Sequence, residues 1–230
     1  MTTGLWGEMG GAEVRPETKA DAAYRELRRR IVDASLAPGS RLDQEMLAAA
    51  LGVSTTPLRE ALRRLEAERL VERAAHRQVV IAPLSARELH ELYQIRLQLD
   101  SLSVQMAAGA GDPRLVVEAE RHLAPPDPGD PHRSLDVNRA FHRSLYSGSG
   151  NAVLTEILDL LWDRTDRYRI LLTADPADSE VAAAEHRQLL TLVAGGQAAE
   201  AGELMRRHLQ RSVDRLTGLV ADGIGPDTHS

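Results

Sequence analysis

The chain has 230 residues, 43% of them hydrophobic and 27% charged, with a net charge of −6 and no cysteine. That length and apolar content can hold two modest domains, each with a core. The lack of cysteine excludes a disulfide framework and a thiolate metal site, and fits a reducing, cytoplasmic setting.

The opening MTTGLWGEMGGAEVRPETK has neither a basic start nor an apolar run, so it is not a signal peptide, and residues 1–18 read as a disordered tail. No later segment approaches the roughly 20 continuous apolar residues of a membrane span, so no membrane partner is expected.

Arg41 to Ala82 reads as helix, tight turn, helix and a two-stranded ribbon, the layout of a winged helix-turn-helix. Asp43 can cap a short helix whose apolar side is Met46, Leu47, Ala50 and Leu51. Gly52 stands where a left-handed residue ends such a helix, and Val53 can fold back onto it. Ser54 or Thr56 can cap the second helix, with Pro57 in its first turn. Leu58, Ala61, Leu62 and Leu65 form its buried stripe, which leaves Thr55, Thr56, Arg59 and Arg63 pointing outward. Leu70 to Arg73 and Val79 to Ala82 alternate like short strands around a tip at Ala74 to Gln78. The expected DNA contacts are Thr55, Thr56, Arg59 and Arg63, joined by His76 and Arg77 on the wing tip. Residues 19–83 carry a net charge of +3 and residues 84–230 one of −7, which suits a protein that meets phosphates at one end.

Beyond Pro83 the chain reads as helical throughout. Ser85 and Glu88 form an S-x-x-E capping box for a helix running to about Gly109. Further helices run from Asp112–Pro113 to about Ala124, His132 to Ser147, Ala152 to Leu172, Asp175–Pro176 to Gly195–Gly196, and Gln197 to about Val220. The breaker-rich stretch PPDPGDP separates the second from the third. Leu158, Leu161, Trp162 and Thr165 face inward on the fourth. Six helices with mostly short connections predict an antiparallel bundle over residues 84–220, followed by a tail at 221–230.

Asn138 and His142 lie one turn apart on one helix face. Counting outward from Gly195–Gly196, an antiparallel hairpin brings His186 and His208 to within roughly 5 Å of the same level. Three imidazoles and an amide oxygen could thus converge as a first shell for zinc or nickel. The plainer expectation for a helical histidine is a surface or hydrogen-bonded role, and His76, His90, His122, His132 and His229 suit it. Arg96 interrupts the apolar stripe of Leu89, Leu92 and Leu99, and a buried guanidinium needs an anion. That anion could be Asp100, Glu156 or the carboxylate of a ligand. Arg143 and Tyr168 are further candidate ligand contacts, while most of Arg139, Arg143 and the Arg167, Tyr168, Arg169 run is expected on solvated faces.

Two known families resemble parts of this chain. GVSTTPLREALRRLEAERLV is similar to the recognition segment of GntR-superfamily transcription regulators, and YRELRRRIVDASLAPGSRL to their first helix and turn; the likeness spans Lys19 to Pro83. Those regulators usually carry an arginine where Thr55 stands, often set against guanine, so the resemblance implies a double-stranded DNA operator of atypical sequence. ELYQIRLQLDSLSVQMAA, NRAFHRSLYSGSGN and EHRQLLTLVAGGQAAEAGELMRRHL resemble the signature segments of the FCD (FadR C-terminal-like) ligand-binding domain, in its six-helix, VanR-like form. This resemblance implies a divalent metal held by Asn138, His142, His186 and His208, with Asn138 standing where many members have an aspartate. It further implies a small carboxylate bridging Arg96 and the metal. The expected protein is a homodimeric, nucleoid-associated transcription regulator, more often a repressor, whose operator affinity follows that ligand. The alternatives are a hydrolase with a three-histidine site, in which Glu185 or Glu156 acts as base, and a regulator that senses the metal itself.

Overall fold

The computed structural model describes residues 17–74, 78–123 and 129–221. The wing-tip residues His76 and Arg77 lie outside these, as do the expected tails apart from Glu17, Thr18 and Ala221.

The N-terminal head begins with α1 (Lys19–Val32), closed by a capping box between Thr18 and Asp21. Then come β1 (Arg41–Leu42), α2 (Gln44–Leu51), α3 (Thr55–Ala67), β2 (Val71–Arg73) and β3 (Val79–Ile81). Asp43 accepts from the backbone N–H groups of Glu45 and Met46 and so caps α2, which ends at Gly52 with φ 64°. The N–H of Val53 folds back to Ala48 O at 3.0 Å.

Two expectations need correcting here. The buried residue of α2 is Ala48, with Leu47 and Leu51 half-buried, whereas Ala50 is exposed and Met46 is 72% exposed. Two turns of helix touch the core along a strip narrower than its apolar residues. The ribbon also has a third strand: β1 pairs antiparallel with β3 in the order β1-β3-β2, placing Leu42 opposite Val79 and Val71 opposite Ile81. Two residues are too few for alternation to mark a strand. Leu27, Ile31, Leu58, Leu62, Leu65, Leu70 and Ile81 fill the head's core.

The bundle contains six α-helices among the described residues: α4 (Ala86–Ala110), α5 (Pro113–Glu120), α6 (Pro131–Ser147), α7 (Ala152–Arg169), α8 (Pro176–Ala194) and α9 (Ala198–Ala221). Ser85, Asp112, Asp130, Asn151 and Asp175 cap successive helices, each accepting from a first-turn backbone N–H. Helix α7 does not stay α-helical to Leu172; it tightens into a 3-10 turn over Ile170–Ala174. Ser85 accepts from Glu88 N, but the Glu88 carboxylate does not complete the expected box. It turns to Arg164, Arg167 and Tyr168 on α7. The most extensive helix contact is α4 with α9. There Ser101 Oγ donates to Gly202 O at 2.7 Å, and a Cβ on Gly202 would fall 2.2 Å from Gln105 Nε2.

Charged side chains join head to bundle. Arg28 on α1 reaches Asp166 at 2.6 Å and Asp163 at 3.3 Å, both on α7. Arg167 donates to Ala82 O at 2.9 Å, and His132 meets Asp33 at 3.1 Å. No described helix is long and apolar enough to cross a membrane.

Candidate functional site

On the head, the buried stripe of α3 leaves Thr55, Thr56, Arg59 and Arg63 exposed. Neighbouring cations are already engaged. Arg64 pairs with Asp21 and stacks 3.8 Å from the Tyr24 ring centroid, and Arg73 pairs with Glu66. Among the described residues Arg59 and Arg63 have no ion-pair partner, so their charge is available to phosphate or a base edge.

In the bundle, α6 contributes His142, α8 contributes His186 and α9 contributes His208, exposed by only 1%, 7% and 4%. One ring nitrogen from each lies within 4.8 Å of the other two. The Nε2 atoms of His142 and His186 face each other at 3.2 Å. Behind two of the rings, hydrogen bonds set the tautomer. Tyr146 donates its hydroxyl proton to Asp100 at 2.6 Å, so its oxygen is left to accept from His142 Nδ1 at 3.3 Å. His208 Nδ1 lies 2.6 Å from Glu185 Oε2. With both Nδ1 positions occupied, the Nε2 lone pairs turn inward, the arrangement a metal-binding imidazole requires. His186 stacks on Phe141 with ring centroids 4.5 Å apart.

Burial holds His142 and His186 well below the ordinary histidine value, and neighbouring cationic groups add to the effect. Burial also lowers His208, with Glu185 opposing. Burial pushes Glu185 up, but hydrogen bonds from His208 and Arg211 outweigh it and bring its carboxyl down to about 2. Three neutral, inward-facing imidazoles form a donor set that fits a divalent cation.

Two of these rings border a cavity of about 460 Å³ between α6, the end of α7, α8 and α9. His186 and His208 line it, as do Asn138, Arg133, Arg169, Thr173, Arg211 and Ser212. Asn138, expected as a fourth metal donor, is at the cavity wall, where its Oδ1 accepts from Arg169 Nη2 at 2.5 Å.

The three residues expected to touch a ligand lie elsewhere. Arg96 is fully buried, donating to Asp100 at 2.9 Å and Thr165 at 3.1 Å, and does not line the cavity. Through Asp100 and Tyr146 it stands behind His142. Arg143 is exposed and paired with Asp159. Tyr168 is buried at the junction with the head, where its hydroxyl meets Ser85 N and Glu88. Of the three arginines that line the cavity, Arg133, Arg169 and Arg211, the buried one is Arg169. Its run, expected mostly on a solvated face, is buried throughout, at Arg167, Tyr168 and Arg169 alike. The apolar Ile170, Leu171 and Leu172 that follow were the available signal, since a chain entering the core carries its neighbours with it.

The hydrolase alternative lacks its base. Glu185 is held by His208 and Arg211, and Glu156 is exposed on the second turn of α7.

Residues 19–81 match the family described as bacterial regulatory proteins, gntR family, and residues 91–211 match the FCD domain. The chain is 30% identical over 200 residues to the HTH-type transcriptional repressor GlaR of Escherichia coli (strain K12), covering 81% of this chain and 90% of that one. It is 26% identical over 205 residues to the uncharacterized HTH-type transcriptional regulator YdhC of Bacillus subtilis (strain 168), covering 87% and 92%. Among solved structures, E. coli McbR/YncC has the same fold, with a TM-score of 0.72 at 23% identity over 89% of this chain and 100% of that one.

Proposed function

The chain belongs to the gntR family of bacterial regulatory proteins, as a DNA-binding transcription regulator with an FCD domain rather than an enzyme, and from that premise we propose that it is a repressor controlled by a small carboxylate bound in the bundle cavity. The observation that carries this reading is the convergence of His142, His186 and His208, two of which, His186 and His208, line a 460 Å³ cavity. These three would hold zinc or nickel, and such an ion would offer an open position to a carboxylate oxygen. Tyr146 and Glu185 orient two of the imidazoles, and Asn138 shares the cavity wall with His186 and His208.

Helix α3 would enter the major groove with Thr55, Thr56 and Arg59 at its leading turn, and Arg63 behind. Exposed apolar side chains supply a dimer face: Ile95 and Leu102 on α4, with Val153, Ile157 and Leu160 on α7, each 42–65% exposed. A two-fold dimer would present paired heads to half-sites about one helical turn apart. A ligand that fits one arrangement of bundle and head better than another changes operator affinity by that difference.

The test is to select a DNA fragment with the zinc-loaded protein and measure its affinity by anisotropy while adding small carboxylic acids. Release of the fragment by one acid, lost in His208→Ala, supports the reading. Equal DNA affinity with every acid would overturn it.

A further inference from the structure

Arg169 ends α7 at the cavity wall with 9% of its surface exposed. Its Nη2 donates to Asn138, its plane lies 3.8 Å from the Trp162 ring centroid, and its Nη1 is buried without a hydrogen-bond partner. No carboxylate among the described residues stands within ion-pair distance of it. Other buried arginines of the bundle differ: Arg96 has Asp100, and Arg167 has Glu88. Arg211, also on the cavity wall, is neutralised by Glu185 and Asp178. A guanidinium carries five donors, and an unpaired buried charge costs several kcal/mol. Arg169 has one neutral acceptor and an unsatisfied Nη1, and it lines the same cavity as His186 and His208.

We propose that Arg169 is the anion seat of this cavity, receiving the oxyanion group of the effector at its Nη1 edge. The assignment rests on the cavity as the effector site, and it moves the counter-charge from Arg96 to a residue that has no acid of its own. Asn138 is the neutral partner that fixes the guanidinium plane and leaves its charge for the ligand. An aspartate at that position would pair with Arg169 and close the seat. Trp162, lying against the same guanidinium, reports on its occupancy.

The chain has two tryptophans, so Trp6→Phe leaves Trp162 as the sole tryptophan, excited selectively to the red of tyrosine absorption. The full-length protein in that background, metal-free and zinc-loaded, is titrated with acetate, citrate and inorganic phosphate while Trp162 emission is followed. The expected result is a saturable change with at least one anion, about ten- to hundredfold weaker in Arg169→Gln, the loss of one charge-assisted hydrogen-bond set. Arg169→Lys should fall between, Asn138→Asp should weaken binding, and Arg143→Ala should match the parent. Zinc affinity and melting temperature of Arg169→Gln, held near parental, separate anion loss from misfolding; if that variant unfolds, Arg169→Lys carries the comparison. A response to the carboxylates alone marks a carboxylate seat, and one to phosphate as well a general oxyanion seat. A parental response that persists at equal affinity in both Arg169 variants overturns the seat while leaving the cavity reading intact. No response of the parent to any anion overturns both.

Discussion

Arg28 of the head donates to Asp166 of the bundle at 2.6 Å, and Asp166 lies one helical turn before Arg169. Asp166 also accepts from Arg139 at 3.4 Å, and Arg139 follows Asn138 on α6. Asp166 therefore ties α1 to α7 and, through Arg139, to the α6 residue that follows Asn138. A small shift of α6 against α7 on ligand binding would reach the head through this joint, because packed interfaces move between discrete arrangements. A double-mutant cycle with Arg28→Ala and Asp166→Asn should give a coupling of about 1–3 kcal/mol in urea unfolding. Additive effects would show that the joint carries no energy.

On α3, Arg59→Ala should abolish preference for the selected operator without lowering the melting temperature, since Arg59 is exposed and has no ion-pair partner among the described residues. Arg77→Ala, at a position that falls between β2 and β3 in sequence, should weaken binding evenly across sequences and reduce its salt dependence. Anisotropy at two salt concentrations distinguishes these outcomes. Undiminished operator affinity in Arg59→Ala would displace α3 from the groove.

Much of this was legible from spacing. Leu58, Ala61, Leu62 and Leu65 recur at helical intervals and are buried together, and counting from Gly195–Gly196 set His186 level with His208. Local chemistry marked the caps at Asp43, Ser85 and Asp112. What spacing missed depends on pairing between distant elements. The stripe position of Arg96 showed that it would be buried but not which anion would meet it. The burial of Arg169 comes from Ile170 and Leu171 entering the core, while its own charge points to solvent by composition. Likewise Glu88 has the right offset for a capping box, yet three partners on α7 draw its carboxylate away.

That Glu88 cluster gives a pH prediction. Burial pushes its carboxyl up, but Arg164, Arg167 and Tyr168 outweigh burial and hold it below the ordinary glutamate value of 4.5. A depressed folded value contributes stability that is full above 4.5 and is lost as pH falls through the lower folded value. Glu88→Gln should therefore cost about 1–3 kcal/mol at neutral pH. The cost should shrink in strong acid, where wild type is protonated as well. Urea unfolding across pH checks this, and a pH-independent difference would point to packing instead.

The exposed apolar residues of α7 make the dimer testable. Ile157→Glu places a charge amid Val153 and Leu160, where a dimer would bury it unpaired. Light scattering at micromolar concentration should find a dimer for wild type and a monomer for the variant, with the melting temperature of the isolated fold little changed. A wild-type monomer would remove these side chains from any interface between copies.

Calorimetric titration of zinc into chelator-stripped protein asks whether the three buried histidines hold a metal beside the cavity. The expected result is one site per chain in wild type, loss of binding in His186→Ala and in His208→Ala, and tighter binding in Asn138→Asp, where a carboxylate adds charge beside the triad. Nickel should enter the same site in competition. Stripped wild-type protein that takes up neither zinc nor nickel, or that binds them equally well without His186 or His208, would contradict it.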